Sequence, residues 1–307
     1  MTQNPDNSRN ILAVTAVAAP ARTELPAELG DILASAGVGE KQLRILSDGG
    51  AWQACEYVFD VWGDGGVDAV RDALKGLEAD VAVLPAANRR KRLLISDMDS
   101  TIIGQECLDE LADFAGLKAE VSAITERAMR GELDFEGALT TRVAMLKGLE
   151  LSALEAAYRE RITLNPGART LTATMKVHGA HAVLVSGGFT FFTSRVADLS
   201  GFDAHRGNTL VDDGAALTGD VGRPILGREA KLTALDEASA AHGLTRDDAL
   251  ALGDGANDLD MIRAAGLGIA YRAKPIVAEQ ASAAISHTDL TAALFFQGYA
   301  ASEFVAG

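Results

Sequence analysis

Two aspartates, Asp97 and Asp99, follow an apolar run and are separated by one residue in the segment LLISDMDST. Side chains alternate along a strand, so both carboxylates point the same way at the carboxyl end of the predicted strand. Two carboxylates placed together can bind a hard cation, or they can act as a nucleophile and a proton donor. Open α/β sheets bind ligands at the carboxyl ends of their strands, so we expect an active site here.

Three later groups of residues could join these carboxylates. Ser186 and Gly187 stand in SGGF, directly after a predicted strand. Lys231 lies in a predicted helix, and Asp254 begins DGAND after another apolar strand. A serine hydroxyl and the N–H beside a glycine can bind phosphate oxygens, and a lysine can neutralise them. Each group alone is also an ordinary turn or a solvated helix residue, whereas their joint occurrence indicates a phosphate site.

In order and chemistry these groups resemble the haloacid-dehalogenase superfamily, and within it the phosphoserine phosphatase family, over residues 93–307. The resemblance implies that Asp97 is a nucleophile forming an aspartyl-phosphate, that Asp99 is the general acid and base, and that Lys231 neutralises the phosphate. It implies a Mg²⁺-dependent phosphomonoester hydrolase. The implied metal ligands are Asp97, the main-chain carbonyl of Asp99, Asp254 and Asp258. The implied substrate-binding residues are Glu106, Met129, Phe135, Arg142, Ser186, Gly187 and Asn257.

The resemblance also implies the substrate, O-phospho-L-serine, whose hydrolysis is the last step of serine biosynthesis. Glu106 would meet the substrate amine and Arg142 its carboxylate, because a guanidinium binds a carboxylate with two parallel hydrogen bonds. Without the resemblance, both residues are ordinary exposed helix charges. Two alternatives remain open: a phosphatase of the same mechanism for another small phosphomonoester, and an amino-acid sensor with a secondary phosphatase domain.

Apolar strands alternate with helical segments after residue 93, which predicts an α/β fold with a mostly parallel, Rossmann-like sheet flanked by helices. Residues from about 104 to 165 are helical throughout and separate two strong strands. This stretch is too long for a simple crossover, so we expect a helical cap over the strand ends.

Residues 1–86 predict a separate α+β domain with the order βαββαβ, which resembles the ACT domain. Its first turn, at residues 20–23, has no glycine, which argues against bound amino acids. Its sheet edges and one sheet face are expected to pair with another copy, giving a homodimer. Residues 87–92 form a basic linker, whose charges we interpret as solvated, and residues 93–307 form the phosphatase core.

The chain has 307 residues and a formal net charge of -15, which argues against nucleic-acid binding. The longest early apolar stretch, residues 11–19, is too short to span a membrane. The polar N-terminus lacks the charged and apolar regions of a signal peptide, so we expect a cytoplasmic protein.

Overall fold

The computed structural model describes residues 9–130 and 132–307. Residues 1–8 and Gly131 lie outside the described residues. The expectation about a signal peptide concerns mainly residues 1–8. Within the described ranges, no helix has both the length and the apolar character needed to cross a membrane.

Strands and helices alternate along most of the chain. The strands are β1 (Arg9–Ala18), β2 (Lys41–Gly49), β3 (Trp52–Trp62), β4 (Asp80–Pro85), β5 (Leu93–Ser96), β6 (His181–Phe189), β7 (Ala204–Asn208), β8 (Leu210–Asp212), β9 (Leu217–Val221), β10 (Ala249–Gly253), β11 (Leu267–Tyr271) and β12 (Ala283–Ile285). The α-helices are α1 (Leu25–Ser35), α2 (Gly63–Ala73), α3 (Cys107–Phe114), α4 (Lys118–Met129), α5 (Phe135–Met145), α6 (Leu151–Arg161), α7 (Ala168–Val177), α8 (Thr190–Ser200), α9 (Arg228–Ala241), α10 (Leu259–Ala264), α11 (Pro275–Ala278) and α12 (Ala292–Phe296).

Ten of the strands in the described residues form one sheet, in the order β2-β3-β1-β4-β12-β11-β10-β5-β6-β7. The six strands from β12 to β7 are parallel, and β1 to β4 are antiparallel. Helices cover both faces of the parallel part, so the side chains of β5 are fully buried. The predicted fold class is confirmed, including the helical insert and the order βαββαβ at the N-terminus.

The cap consists of α3 to α6, inserted between β5 and α7. Its two ends meet where Ile103 bridges Leu164 in antiparallel fashion. The amide of Asn165 donates to the carbonyls of Thr101 and Ile103, which holds this neck closed. The hairpin β8–β9 packs against α5, and Glu150 bridges Ala216. The cap is therefore tied to the core at two places and lies over the carboxyl ends of the parallel strands.

The N-terminal strands share a core with the rest of the chain. Helices α1 and α2 cover one face of β1 to β4. On the other face the ring of Trp52 lies about 6 Å from the rings of Phe295 and Phe304. The β4 edge pairs with β12 through Ala82 and Ala283. The expectation that these edges and this face are open for another copy is therefore wrong for β4 and for the covered face; β2 remains an edge strand.

The basic segment between β4 and β5 is only partly solvated: Arg90 and Arg92 are exposed as expected, whereas Lys91 and Arg89 are not. Lys91 is 8% exposed, and its ammonium donates to the carbonyls of Asn88 and Asp247, each at 2.7 Å. Arg89 forms an ion pair with the fully buried Glu56. The expectation is wrong for these two residues because the segment runs between two packed parts of the molecule, where carbonyls and a carboxylate satisfy the charges of Lys91 and Arg89.

Candidate active site

Asp97 and Asp99 directly follow β5, the strand that lies between β10 and β6. The side chain of Met98 is fully buried in the apolar core, and its carbonyl accepts the N–H groups of Thr101, Ile102 and Ile103. This tight turn ends the strand and leaves both carboxylates facing the cap. Both carboxylates line one cavity, as the spacing predicts, but β5 ends at Ser96 and the turn after it, rather than strand alternation, positions Asp99.

The carboxylate of Asp97 lies next to Lys231, near the start of α9. Lys231 Nζ is 2.8 Å from Oδ2 of Asp97 and 2.5 Å from Oδ1 of Asp258. All three side chains are at most 7% exposed. Burial alone would lower the pKa of Lys231, but the carboxylates of Asp258 and Asp97 raise it above its ordinary value. The ammonium therefore stays charged beside the proposed nucleophile.

Asp97, Asp254 and Asp258 can each offer a carboxylate oxygen, and these oxygens lie within 4.8 Å of one another. Burial, followed by the charge of Asp258, raises the pKa of Asp254 to about 7. Oxygen ligands with excess negative charge suit a hard divalent cation such as Mg²⁺. The residues present therefore fit the metal that the family resemblance implies.

Asp99 is the second carboxylate of the pair, and its environment differs from that of Asp97. The Cys107 N–H donates to its Oδ1 at 3.0 Å, and the Ser186 hydroxyl donates to its Oδ2 at 3.2 Å. Burial raises the pKa of Asp99, although these hydrogen bonds oppose it. A carboxyl group with a raised pKa can hold a proton and deliver it to a leaving group.

Ser186 and Gly187 lie at the carboxyl end of β6, next to β5 in the sheet. The Ser186 hydroxyl accepts the N–H of Gly188 at 2.8 Å. A Cβ atom at Gly187 would come within 2.8 Å of Cζ of Phe135, and one at Gly188 within 2.9 Å of Oδ2 of Asp99. The two glycines thus let the loop approach the carboxylates and the cap without a steric clash.

A cavity of about 110 Å³ lies between the cap and the strand ends. Its lining includes residues from both sides: Asp97, Asp99, Glu106, Thr125, Phe135, Arg142, Ser186, Gly187, Asp254 and Asn257. Lys231 and Asp258 lie behind it, bound to Asp97 and to the loop after β10. The Met129 side chain lies outside the described part of the chain. The remaining residues expected from the sequence are brought together.

Glu106 stands directly before α3, at the mouth of the cap. Its Oε1 accepts the hydroxyl of Ser100 at 2.7 Å. Burial, followed by the charge of Asp99, raises the pKa of Glu106 to about 8. A cationic ligand group beside Glu106 would favour its ionised form.

Arg142 lies on the inner face of α5 and is 8% exposed. Its Nε donates to the Ala138 carbonyl at 3.1 Å, and its Nη1 donates to the Thr125 hydroxyl at 2.8 Å. Within the described residues, no carboxylate lies within 4.0 Å of this guanidinium. A buried guanidinium that faces a cavity without an ion-pair partner is suited to bind an anionic ligand group.

Several residues of the site were not predicted from the sequence. Thr125 and Asp109 contact each other behind Arg142, and Thr101 donates to Asp254 at 3.3 Å. The Asn208 amide joins the Gly187 carbonyl to both backbone groups of Leu226. Helical spacing could have indicated Thr125 and Asp109, because they lie one turn from Met129 and Glu106 respectively. Nothing in the sequence around Asn208 indicates its contacts.

A family model of the haloacid dehalogenase-like hydrolases matches residues 94–263, which include the strand end, the cap and the loop after β10. The chain belongs to this family. A phosphoserine phosphatase from Polaromonas sp. is 47% identical to this haloacid dehalogenase-like hydrolase over 220 residues, covering 70% of this chain and 93% of the relative. A phosphoserine phosphatase from Streptomyces coelicolor is 43% identical over 229 residues, covering 74% of this chain and 56% of that protein.

The overall arrangement of this haloacid dehalogenase-like hydrolase also matches a solved structure. A family hydrolase from Salmonella enterica serovar Typhi superposes with a TM-score of 0.80 at 27% identity, covering 93% of this chain and 98% of the other. Coverage of this extent includes the N-terminal strands as well as the core.

Proposed function

We propose that this protein is a phosphoserine phosphatase that hydrolyses O-phospho-L-serine to L-serine and phosphate. The observation that carries the proposal is the composition of the single cavity described above. At one end it has paired carboxylates with Lys231 and Ser186, and at the other, near Glu106, the buried Arg142, which has no ion-pair partner among the described residues. A small ligand with a phosphate at one end and a carboxylate and an ammonium at the other matches both ends. The names of the relatives support the same substrate.

In the proposed reaction, a carboxylate oxygen of Asp97 attacks phosphorus and the bond from phosphorus to the serine oxygen breaks. Asp99 gives its proton to the departing alkoxide, and an aspartyl-phosphate remains on Asp97. Asp99 then takes a proton from a water molecule that attacks phosphorus, and the bond from phosphorus to Asp97 breaks. Lys231, the Ser186 hydroxyl and the Gly187 N–H offset the negative charge of the phosphoryl oxygens, while Asn257 lines the same end of the cavity.

We further propose Mg²⁺ as the metal, held by Asp97, Asp254, Asp258 and the main-chain carbonyl of Asp99. Bound there, it supplies positive charge beside the phosphate. The three carboxylates of Asp97, Asp254 and Asp258 lie together in this site and favour this assignment, because Lys231 alone cannot balance them.

The test is a phosphate-release assay over small phosphomonoesters, with the Arg142→Ala variant beside the wild type. We expect phosphoserine to be preferred, and the variant to lose far more activity on phosphoserine than on phosphoethanolamine, which lacks only the carboxylate. A lost charge-assisted contact costs on the order of 1.5–3 kcal/mol. Equal losses on both substrates would contradict the role of Arg142 and the substrate assignment.

We propose that residues 93–307 contain all the reacting groups. Residues 1–86, with their ACT-like element order, do not contribute to the reaction but form a homodimer through β2. Strand β2 is an edge of the sheet, and its Leu43 and Ile45 are 42% and 45% exposed. Antiparallel pairing of two β2 strands would cover these side chains. Light scattering tests this: Ile45→Lys should give monomers, whereas Ile276→Lys, on the exposed α11, should not.

A cytoplasmic location is also proposed, and cell fractionation tests it.

A further inference from the structure

The contacts of Arg142 extend one step further from the cavity, into the interior of the cap. The Thr125 hydroxyl that accepts the guanidinium N–H also donates to Oδ1 of Asp109 at 2.8 Å. The Ser122 hydroxyl donates to the other oxygen of Asp109 at 2.6 Å. Asp109 and Thr125 are 9% and 5% exposed. The row Arg142, Thr125 and Asp109 therefore lies in a buried environment, where such contacts persist.

The direction of these hydrogen bonds follows from the proton count. A hydroxyl has one proton and two lone pairs, and an ionised carboxylate can only accept. Asp109 therefore draws the Thr125 proton toward itself, and a lone pair of Thr125 Oγ1 is left facing Arg142. The carbonyl of Val121, at 3.1 Å, is a second acceptor for the same proton but carries no full charge. The charge of Asp109 thus sets the hydroxyl in the orientation that Arg142 requires.

The intervening hydroxyl has a consequence for ligand binding. Burial lowers the pKa of Arg142, and nearby carboxylates oppose this effect. Among them, Asp109 has the largest influence. Because Asp109 acts through Thr125, no carboxylate occupies the guanidinium directly. Direct contact would neutralise the guanidinium and compete with the carboxylate of a substrate.

We propose that Thr125 and Asp109 are positioning residues that make Arg142 selective for a substrate carboxylate. They orient the guanidinium and stabilise its charge. The side of the guanidinium that faces the cavity remains free to bind a ligand. This inference rests on the proposed function, since it concerns how the same cavity recognises phosphoserine. It assigns a specificity role to two residues that do not react.

The experiment compares Thr125→Val, which removes only the hydroxyl, with Thr125→Ser, which keeps it. The control is Thr141→Val: Thr141 is exposed on α5, next to Arg142, and its hydroxyl donates to the Gly137 carbonyl of its own helix. For each variant, kcat and KM are measured with phosphoserine and with phosphoethanolamine. We expect Thr125→Val to lower kcat/KM for phosphoserine at least about tenfold, mainly through KM, and that for phosphoethanolamine less than threefold. Thr125→Ser and Thr141→Val should stay near the wild type.

The outcomes separate this inference from the proposed function. If Arg142→Ala loses selectivity for phosphoserine and Thr125→Val keeps it, the positioning role is wrong and the proposed function stands. If Arg142→Ala instead loses activity equally on phosphoserine and on phosphoethanolamine, the proposed function itself is wrong. Equal losses on both substrates for Thr125→Val would mean a general effect on the cap and would also overturn the positioning role. Should Thr125→Val fail to fold, Asp109→Asn keeps the same volume and must show the same selective loss in KM.

Discussion

Nζ of Lys231 lies 2.8 Å from Oδ2 of Asp97, and both side chains are almost completely buried. Lys231 comes from α9 and Asp97 from the end of β5, so the pair joins two elements that are far apart in the chain. The same ammonium also contacts Asp258. One cation therefore offsets two buried carboxylates, which links the stability of this region to its chemistry.

Replacement of Lys231 by methionine should destabilise the protein and abolish phosphatase activity. Breaking a buried ion pair from one side leaves uncompensated charge and costs about 3–5 kcal/mol. The matched control is Lys75→Met, which removes an exposed ion pair with Asp72 and should have a much smaller effect on stability. Denaturant unfolding of both variants measures the difference. A loss for Lys231→Met no larger than that of the control would contradict the buried-pair argument.

Asp97→Asn should remove turnover and preserve the fold, because an amide does not attack phosphorus. We expect a loss of at least on the order of 10³-fold in kcat, as when a nucleophile is removed from other enzymes. Phosphate release and circular dichroism measure the two effects, and mass spectrometry excludes deamidation to aspartate. Substantial activity in the intact variant would refute the role of nucleophile.

Removal of divalent metal should abolish activity, and added Mg²⁺ should restore it. The expectation follows from the three carboxylates within 4.8 Å of one another. Ca²⁺ should inhibit, because it takes more ligands and could bind both oxygens of Asp97, which withdraws the nucleophile. The assay is phosphate release after chelation and after addition of each metal. Full activity in the chelated protein would rule out the metal assignment.

Glu106→Gln should stabilise the metal-free protein while it weakens phosphoserine hydrolysis. The pKa of Glu106 is raised from 4.5 to about 8 in the folded protein. The stability of the wild type that depends on neutral Glu106 is therefore complete below pH 4.5. It is lost as the pH rises to about 8, because the buried carboxyl group must then ionise. Glutamine does not ionise, so the stability gain of the variant should be absent at pH 4 and grow to at most a few kcal/mol by pH 8. Unfolding curves at several pH values measure this. A gain that does not change with pH would show that the raised pKa is not its cause.

Asp80→Ala should destabilise the whole protein, although Asp80 is far from the active site in sequence and belongs to β4. Its carboxylate accepts the backbone N–H groups of Ser286, His287 and Thr288 at 2.7 to 2.9 Å and the hydroxyl of Thr288 at 2.6 Å. Removing it leaves the buried N–H and hydroxyl of Thr288, and the part-buried N–H groups of Ser286 and His287, without this partner, at about 2–5 kcal/mol in total.

The matched control for Asp80 is Asp213→Ala, since Asp213 accepts two backbone N–H groups in an exposed hairpin turn. Water can replace that carboxylate, so its loss should be smaller. Thermal unfolding measures both variants. One cooperative transition at a lower temperature is expected for Asp80→Ala; an unchanged melting temperature would argue against a shared core of the N-terminal strands and the rest.

The sequence by itself determined the parts of the molecule that follow from local periodicity. The spacing of Asp97 and Asp99 at the end of an apolar run predicts that they lie together, and the polar segments at the end of β6 and after β10 fall at the same sheet edge because parallel strands end together. The element order βαββαβ and the helical insert could be predicted in the same way, from the spacing of apolar residues.

Only the tertiary structure decided which surfaces meet. The pairing of β4 with β12, the burial of Lys91 and the row from Arg142 through Thr125 to Asp109 each join segments whose sequences contain no signal for one another. Charged and polar residues such as these are normally solvated, so their local sequence predicts exposure. Their burial depends on partners brought close by the packing of whole helices and strands, and hydrogen bonds to those partners compensate for the lost water.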